Sequence, residues 1–444
     1  MLGKHLILEG RERSGRLALV HGGTRATYGE LAARAAGLAD KLRPYAGQRV
    51  GLTAAEPAAY LTAAAALDYL GAHVFLVGRR GAAETAAIAR QFSLEALLGE
   101  PEAKADPAPA ETALEEARQG KVTLLTSGTT GVPKAANHTW TTLASPVRRD
   151  ASLSDTRWLC AYPLHLYAGT QVLLQALLNW AALVVPETME PRQIARTMAE
   201  DGVTHASGTP TFWRQVLFFG GRERLKDAAL RQITLGGEAV TQELLDGLGS
   251  LWPAARIVHI YASTELGRLF SVTDGREGFP ARYLEKAPES DVEMRIVDGE
   301  LHARSKNAML GYESESPASS DPAGWRPTGD LVEQRGDRIL FRGRSSDVIN
   351  VGGHKVAPLK VEQALRGVAG VADLRVYPRR SSLTGQIVAM DVVLAPEADE
   401  KTVRAALLEA VRARLLPHEA PRLLEFVQAL DPNPAFKLVR KEKA

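Results

Sequence analysis

Between Arg49 and Ile260, short apolar runs alternate with helix-spaced segments. The runs are Arg49 to Thr53, His73 to Val77, Val122 to Leu125, Leu183 to Val185, Ile233 to Leu235 and Ile257 to Ile260. This alternation narrows the choice of fold more than any other feature. Strands that alternate with helices predict mostly parallel sheet covered on both faces. The helices carry their own start signals. Thr27 and Glu30 have capping-box spacing, in which the Thr oxygen accepts from a free backbone N–H and the Glu reaches back. A helix is expected after it, with Leu31, Leu38 and Leu42 on one side.

The pattern changes near Val292. Val292 to Val297, Asp298-Gly299 and Glu300 to Ala303 read as a hairpin, because Asp-Gly supplies the positive φ of a tight turn. Leu331 to Phe341, turning at Arg335-Gly336-Asp337, reads as a second hairpin, and together they predict a small β-rich subdomain. Beyond Arg344 mixed α and β elements return. Pro101 to Gly120 and Ser314 to Gly324 read as surface connections.

A chain of 444 residues with 45% hydrophobic content has room for more than one domain and a sizeable core. Its Lys and Arg total 54 against 52 Asp and Glu, a net charge of +2, which gives no argument for a nucleic-acid or membrane partner. Cys160 is the one cysteine, so no intrachain disulfide can form, and its apolar run predicts a small core residue. The most apolar stretch, Val172 to Val185, is too short for a bilayer and contains Gln175 and Asn179. The expectation is a soluble cytoplasmic protein without a membrane span.

The segment Thr126-Ser127-Gly128-Thr129-Thr130-Gly131-Val132-Pro133-Lys134 follows the predicted strand Val122 to Leu125. Its glycines let the backbone bend around an anion, its hydroxyls add donors, and Lys134 adds charge. A phosphate site is the physical reading. The spacing of an ordinary P-loop is absent.

This segment resembles the phosphate loop of the adenylate-forming superfamily: acyl- and aryl-CoA synthetases, peptide-synthetase adenylation domains and luciferases. Further segments resemble the family's in the same order. His259-Ile260-Tyr261-Ala262-Ser263-Thr264-Glu265 matches its Tyr-Gly-x-Thr-Glu segment with Ala262 in place of Gly, and Thr328-Gly329-Asp330 matches its Thr-Gly-Asp segment. Gly343 to Val356 resembles its hinge segment, and Asn433 to Arg440 the terminal segment that bears its catalytic lysine. Three departures stand out: Phe436 where Gly usually precedes that lysine, Ser346 where Asp or Lys is common, and a shortened region before the phosphate loop.

The resemblance implies an α/β fold: a large N-terminal domain (1–343) with two packed α/β sheets and a β-subdomain from about 282 to 343, then a small mobile α+β domain (344–444). It implies ATP-dependent activation of a carboxylic acid to acyl-AMP, with Mg²⁺, then transfer to the thiol of coenzyme A or a phosphopantetheinylated carrier protein. Thr126, Ser127, Gly128, Thr129, Thr130, Gly131 and Lys134 would hold the β- and γ-phosphates. Thr264 and Glu265 would face the α-phosphate, and Glu265 and Thr126 would place the metal. Gly236, Gly237 and Glu238 would approach the nucleotide, Tyr261 the adenine, and Asp330 and Arg344 the ribose. Lys437 would bridge the carboxylate and the α-phosphate, and Gly352-Gly353 would leave room for the pantetheine arm.

His165 lies in Tyr162 to Gly169, which resembles the acid-pocket segment; a packed histidine is the other reading. Gly169 would leave space there and Tyr167 would supply an aromatic wall. No carboxylate lies between Cys160 and Ala182, so an ammonium would stand unpaired. Amino-acid-activating members of the superfamily usually place an Asp in this segment, so the resemblance implies an acid without an α-amino group, aryl before long-chain acyl. The rival readings are an amide- or ester-forming adenylating ligase and a non-catalytic nucleotide-binding relative.

Overall fold

The computed structural model describes residues 1–100, 120–126, 133–289, 291–313, 321, 323–381, 385–430, 433 and 437–440. An eight-stranded sheet carries, in spatial order, Gly267–Val272, Arg256–Ser263, Gln232–Gly236, His205–Gly208, Arg157–Cys160, Ala182–Val185, Leu17–His21 and Thr24–Thr27. Its six central strands run parallel and its two edge strands are antiparallel. A six-stranded sheet carries Gly311–Tyr312, Lys134–Thr139, Lys121–Thr126, His73–Leu76, Arg49–Leu52 and Ala96–Leu98.

One core joins these two sheets. Leu52, Leu76 and Leu124 of the second sheet and Leu19, Trp158 and Leu183 of the first are buried in the same cluster. Full burial of such a side chain contributes roughly 1.5–3 kcal/mol. The helices Tyr28–Lys41 and Pro57–Tyr69 supply further members of that cluster. The second helix is buried on nearly every side, which its alanine-rich sequence permits. Its buried Asp68 accepts the Gly3 N–H on Oδ2 at 2.9 Å. The expected Thr27–Glu30 capping box is present.

An antiparallel five-stranded sheet follows: Phe279–Pro280, Arg338–Arg344, Arg326–Arg335, Glu300–Ser305 and Val292–Val297. Both expected hairpins are in it, turning at 298–299 and 336–337. Residues 349 to 426 enclose a separate core built on Ile349, Val361, Leu374, Val392 and Leu407. It covers a sheet of His354–Val356, Ile349–Val351, Gly385–Leu394 and Val371–Ser381, to which Leu423–Phe426 is added in parallel. Among the described residues, no helix is long and apolar enough to cross a membrane. Cys160 is buried, as its apolar run predicts.

Candidate active site

Parallel sheets bind ligands beyond the carboxyl ends of their strands. Here Gln232–Gly236 and Arg256–Ser263 are parallel neighbours, Gly236 opposite Ile260. Gly236-Gly237-Glu238 and Tyr261 to Glu265 therefore emerge side by side. The Tyr261 hydroxyl donates to Asp330 Oδ2 at 2.6 Å, and Phe270 stacks on the Tyr261 ring at 5.2 Å. Asp330 and Arg344 face each other across antiparallel strands, and Arg344 Nε donates to Asp330 Oδ1 at 3.1 Å. Burial raises the Asp330 pKa, opposed by the charge of Arg344 and the Tyr261 hydrogen bond.

Lys437 reaches this cluster from the far end of the chain. Gly237 adopts a φ of +88°, which glycine accepts readily. A Cβ there would lie 2.7 Å from Lys437 Cε and 3.3 Å from its Nζ, so the missing side chain admits the lysine stem. Burial lowers the Lys437 pKa; the carboxylates of Glu238, Asp330 and Glu265 oppose that shift, and Arg344 adds to it. The sequence predicts that Glu238 approaches nucleotide. In the structure its Oε1 accepts the Leu438 N–H at 2.9 Å and its Oε2 accepts the Thr211 N–H at 3.0 Å.

The expected phosphate loop springs from a hairpin whose closing partners are Thr126 and Lys134. Ser127, Gly128, Thr129, Thr130 and Gly131 lie outside the described residues, as does Phe436. Lys134 Nζ sits 5.0 Å from the centre of the Tyr312 ring, and the Tyr312 hydroxyl donates to Glu265 Oε1 at 2.8 Å. Tyr312 thus connects the loop's cation to the metal-binding candidate. The Thr264 carbonyl accepts from His138 Nε2 at 2.8 Å. A carbonyl only accepts, so that nitrogen carries the proton.

Mg²⁺ prefers oxygen ligands and commonly takes one or two carboxylates plus phosphate oxygens. Glu265, with Thr126 at the loop's root, is compatible with such a site. Among the described residues, no group of three or more His, Cys, Asp and Glu is placed to hold a metal by itself. The phosphates would therefore have to complete the shell.

The acid-pocket expectations need correction. Gly169 leaves no space: a Cβ there would meet the Pro163 carbonyl oxygen at 2.1 Å. Tyr167 is a core residue, only 9% exposed, rather than an open wall. Both lie in the first turn of the helix Tyr167–Leu177, which folds back onto its own leader. His165 presses on Gly78, where a Cβ would come within 2.4 Å of its Nδ1. Its pKa is pushed down to about 4 by burial and then by Arg80. Gly352 and Gly353 form the tight turn between Ile349–Val351 and His354–Val356, with φ of +56° and +90°.

Sequence reasoning missed Tyr312 and Arg214. Tyr312 belongs to a two-residue strand, too short for a pattern, and its partners Asn137 and Ala136 are distant in the chain. Arg214 lies on the helix Pro210–Phe219 and binds Asp373 Oδ1 at 3.1 Å, with both side chains under 10% exposed.

The AMP-binding enzyme profile matches residues 101–313, and the AMP-binding enzyme C-terminal domain profile matches residues 360–437. The chain belongs to the AMP-binding enzyme family. This is the adenylate-forming superfamily that its motifs resemble. A feruloyl-CoA synthase of Amycolatopsis sp. is 28% identical over 96% of this chain and 94% of that protein. A 3-[(3aS,4S,7aS)-7a-methyl-1,5-dioxo-octahydro-1H-inden-4-yl]propanoyl:CoA ligase of Mycobacterium tuberculosis is 29% identical over 72% of this chain. The matched region spans 65% of that relative's length. An anthranilate CoA ligase in complex with anthranoyl-AMP superposes with a TM-score of 0.80 at 19% identity, covering 98% of this chain and 95% of that one. An amide bond synthetase from Marinactinospora thermotolerans superposes at 0.77 with 22% identity, covering 99% and 97%. The two solved structures share the fold.

Proposed function

We propose that this enzyme activates a carboxylic acid with ATP and transfers the acyl group to the thiol of coenzyme A. The observation that carries this reading is Lys437 lodged against Gly237, in the field of Glu238, Asp330 and Glu265. A cation brought there from the end of the chain is suited to the first half-reaction. The substrate carboxylate attacks the α-phosphorus of ATP, the bond to the bridging oxygen breaks, and pyrophosphate leaves with its electron pair. Charge builds on the α-phosphate oxygens, and a fixed ammonium nearby stabilises it. Mg²⁺, when bound, neutralises charge on the phosphates; Glu265 and Thr126 would hold it. Asp330 offers acceptors for the ribose hydroxyls and Arg344 a donor to the ribose oxygens, and Lys134 with the adjoining loop would hold the outgoing phosphates.

In the second half-reaction the thiol sulfur attacks the acyl carbon, AMP departs, and the thiol proton passes to solvent. The 344–444 domain would rotate about Ser345–Asp347 to withdraw Lys437 and bring the Gly352-Gly353 turn to the thiol channel. The acid class we propose is an aryl or acyl acid without an α-amino group, hydroxybenzoate- or cinnamate-like first. The absence of a carboxylate between Cys160 and Ala182 supports the exclusion. Similarity to a feruloyl-CoA synthase over nearly the full length of both chains supports the aryl preference.

The test is a panel of aryl, alkyl and α-amino acids with MgATP, read by pyrophosphate release. Product mass then follows with coenzyme A, a phosphopantetheinylated carrier protein or an amine. An aryl-CoA product is expected. Pyrophosphate released with no acid in the panel would leave the function unsupported, and preferred turnover of an α-amino acid would overturn the substrate class. Thioester on carrier protein alone, or amide alone, would overturn the acceptor.

A further inference from the structure

The segment Lys437–Arg440 lies in a seam between the two halves of the chain, and polar contacts close a circuit around it. Leu438 donates its N–H to Glu238 Oε1, and Glu238 Oε2 accepts from Thr211 in the first turn of the helix Pro210–Phe219. Arg214, on the same helix, donates from Nη2 to Thr211 Oγ1 at 3.0 Å and from Nε to Asp373 Oδ1 at 3.1 Å. Arg366 Nε lies 3.6 Å from that same Asp373 oxygen, and its Nη2 donates to Glu362 at 3.0 Å. Glu362, fully buried, takes two hydrogen bonds from Arg440, at 2.9 and 2.8 Å. Two residues of chain lead back from Arg440 to Leu438, and Arg375 holds the intervening Val439 carbonyl at 3.1 Å.

We propose that Glu238 and Arg214 are positioning residues that dock the lysine-bearing segment for acyl-adenylate formation and for that step alone. The proposal rests on the function given above. Neither residue is needed to touch substrate. Glu238 spends both carboxylate oxygens on backbone N–H groups, one of them adjacent to Lys437. Arg214 crosses from the 1–343 region to Asp373 in the later domain, so the same helix holds the segment directly and through its parent domain. Buried ion pairs contribute little net stability, because desolvation offsets their attraction, but separating the partners leaves an uncompensated buried charge, which disfavours other placements of the two groups. A cation placed about 1 Å off its station can cost about a hundredfold in rate. Rotation of the later domain for thiol transfer would separate Arg214 from Asp373 and Leu438 from Glu238, so the contacts have no work to do in the second step.

The experiment measures the two half-reactions separately in Glu238→Gln and Arg214→Lys. Gln keeps one acceptor of the two; Lys keeps the charge and loses the fork that grips Thr211 and Asp373 together. Acid- and ATP-dependent pyrophosphate release should fall by about tenfold to a hundredfold in each. Thioester formation from coenzyme A and chemically made acyl-adenylate should stay within about twofold of the parent or rise. Equal loss in both half-reactions would assign these residues to folding alone and overturn the proposal, as would unchanged pyrophosphate release in both variants. A parent enzyme that releases no pyrophosphate with any acid would instead remove the underlying reading, so the two failures are distinguishable.

Discussion

The Tyr261 hydroxyl donates to Asp330 Oδ2 at 2.6 Å while Arg344 donates to Oδ1, so both carboxylate oxygens are oriented by the protein's own side chains. Burial raises the pKa of both Tyr261 and Asp330; the tyrosine thus stays a donor, and Arg344 and the Tyr261 hydrogen bond favour the ionised Asp330. An oriented carboxylate of this kind suits a pair of vicinal hydroxyls. Asp330→Ala should raise the KM for ATP by about tenfold or more, from lost hydrogen bonds to a charged acceptor, and move the KM for the acid little. Steady-state kinetics with each substrate varied will check it, and an unchanged ATP dependence would contradict the assignment.

Lys437 lies where Gly237 has no side chain, and its charge is opposed by burial and favoured by three carboxylates. Removing the ammonium should slow adenylate formation by about a hundredfold or more. Lys437→Ala should leave thioester formation from preformed acyl-adenylate near the parent rate, because no charge then bridges two anions. Rapid-quench measurement of each half-reaction decides the matter; parallel losses would show that Lys437 serves something else.

Tyr312 touches Lys134 with its ring and Glu265 with its hydroxyl. Cation–π contact and hydrogen bond together fix the separation of two groups expected to share one triphosphate. Tyr312→Phe keeps the ring and deletes the hydrogen bond. The Mg²⁺ concentration giving half-maximal rate should rise by about tenfold, the usual scale for loss of a group orienting a metal ligand. Saturating Mg²⁺ should restore most of the rate. Superimposable Mg²⁺ titrations of parent and variant would refute the role.

His73, His165, His205 and His259 have pKa values lowered from 6.5 to about 4, in each case chiefly by burial. The unfolded chain binds protons on these rings below about pH 6.5, whereas the native chain refuses them until about pH 4. More protons on the unfolded state means stability present above pH 6.5 and progressively lost as pH falls toward 4. Melting temperature should therefore decline through that window. His259→Gln, which removes one ring hydrogen-bonded to the Arg276 carbonyl, should make the decline shallower. A pH dependence identical to the parent's would show that His259 is not among the groups responsible.

What the sequence by itself determined was local. The parallel strands, the Thr27–Glu30 capping box and the two hairpins each depend on residues within a few positions of one another, where side-chain period and turn chemistry act directly. The hairpin turns came out at 298–299 and 336–337, as the Asp-Gly and Gly-Asp pairs require. Ordered motifs also marked Tyr261, Asp330, Arg344 and Lys437 as one set, and the fold brings these four within reach of one another. Tertiary structure decided the rest, because its terms are shape and distance between remote residues. Nothing near Gly169 reveals that Pro163 closes on it, so an apparent space became a helix contact. Tyr312 meets Glu265 across 47 positions, Arg214 meets Asp373 across 159, and Glu238 meets Leu438 across 200. No periodicity spans such gaps. Those partners are set only when two sheets, a β-subdomain and the later domain pack, and burial then removes the water that would otherwise satisfy each charge.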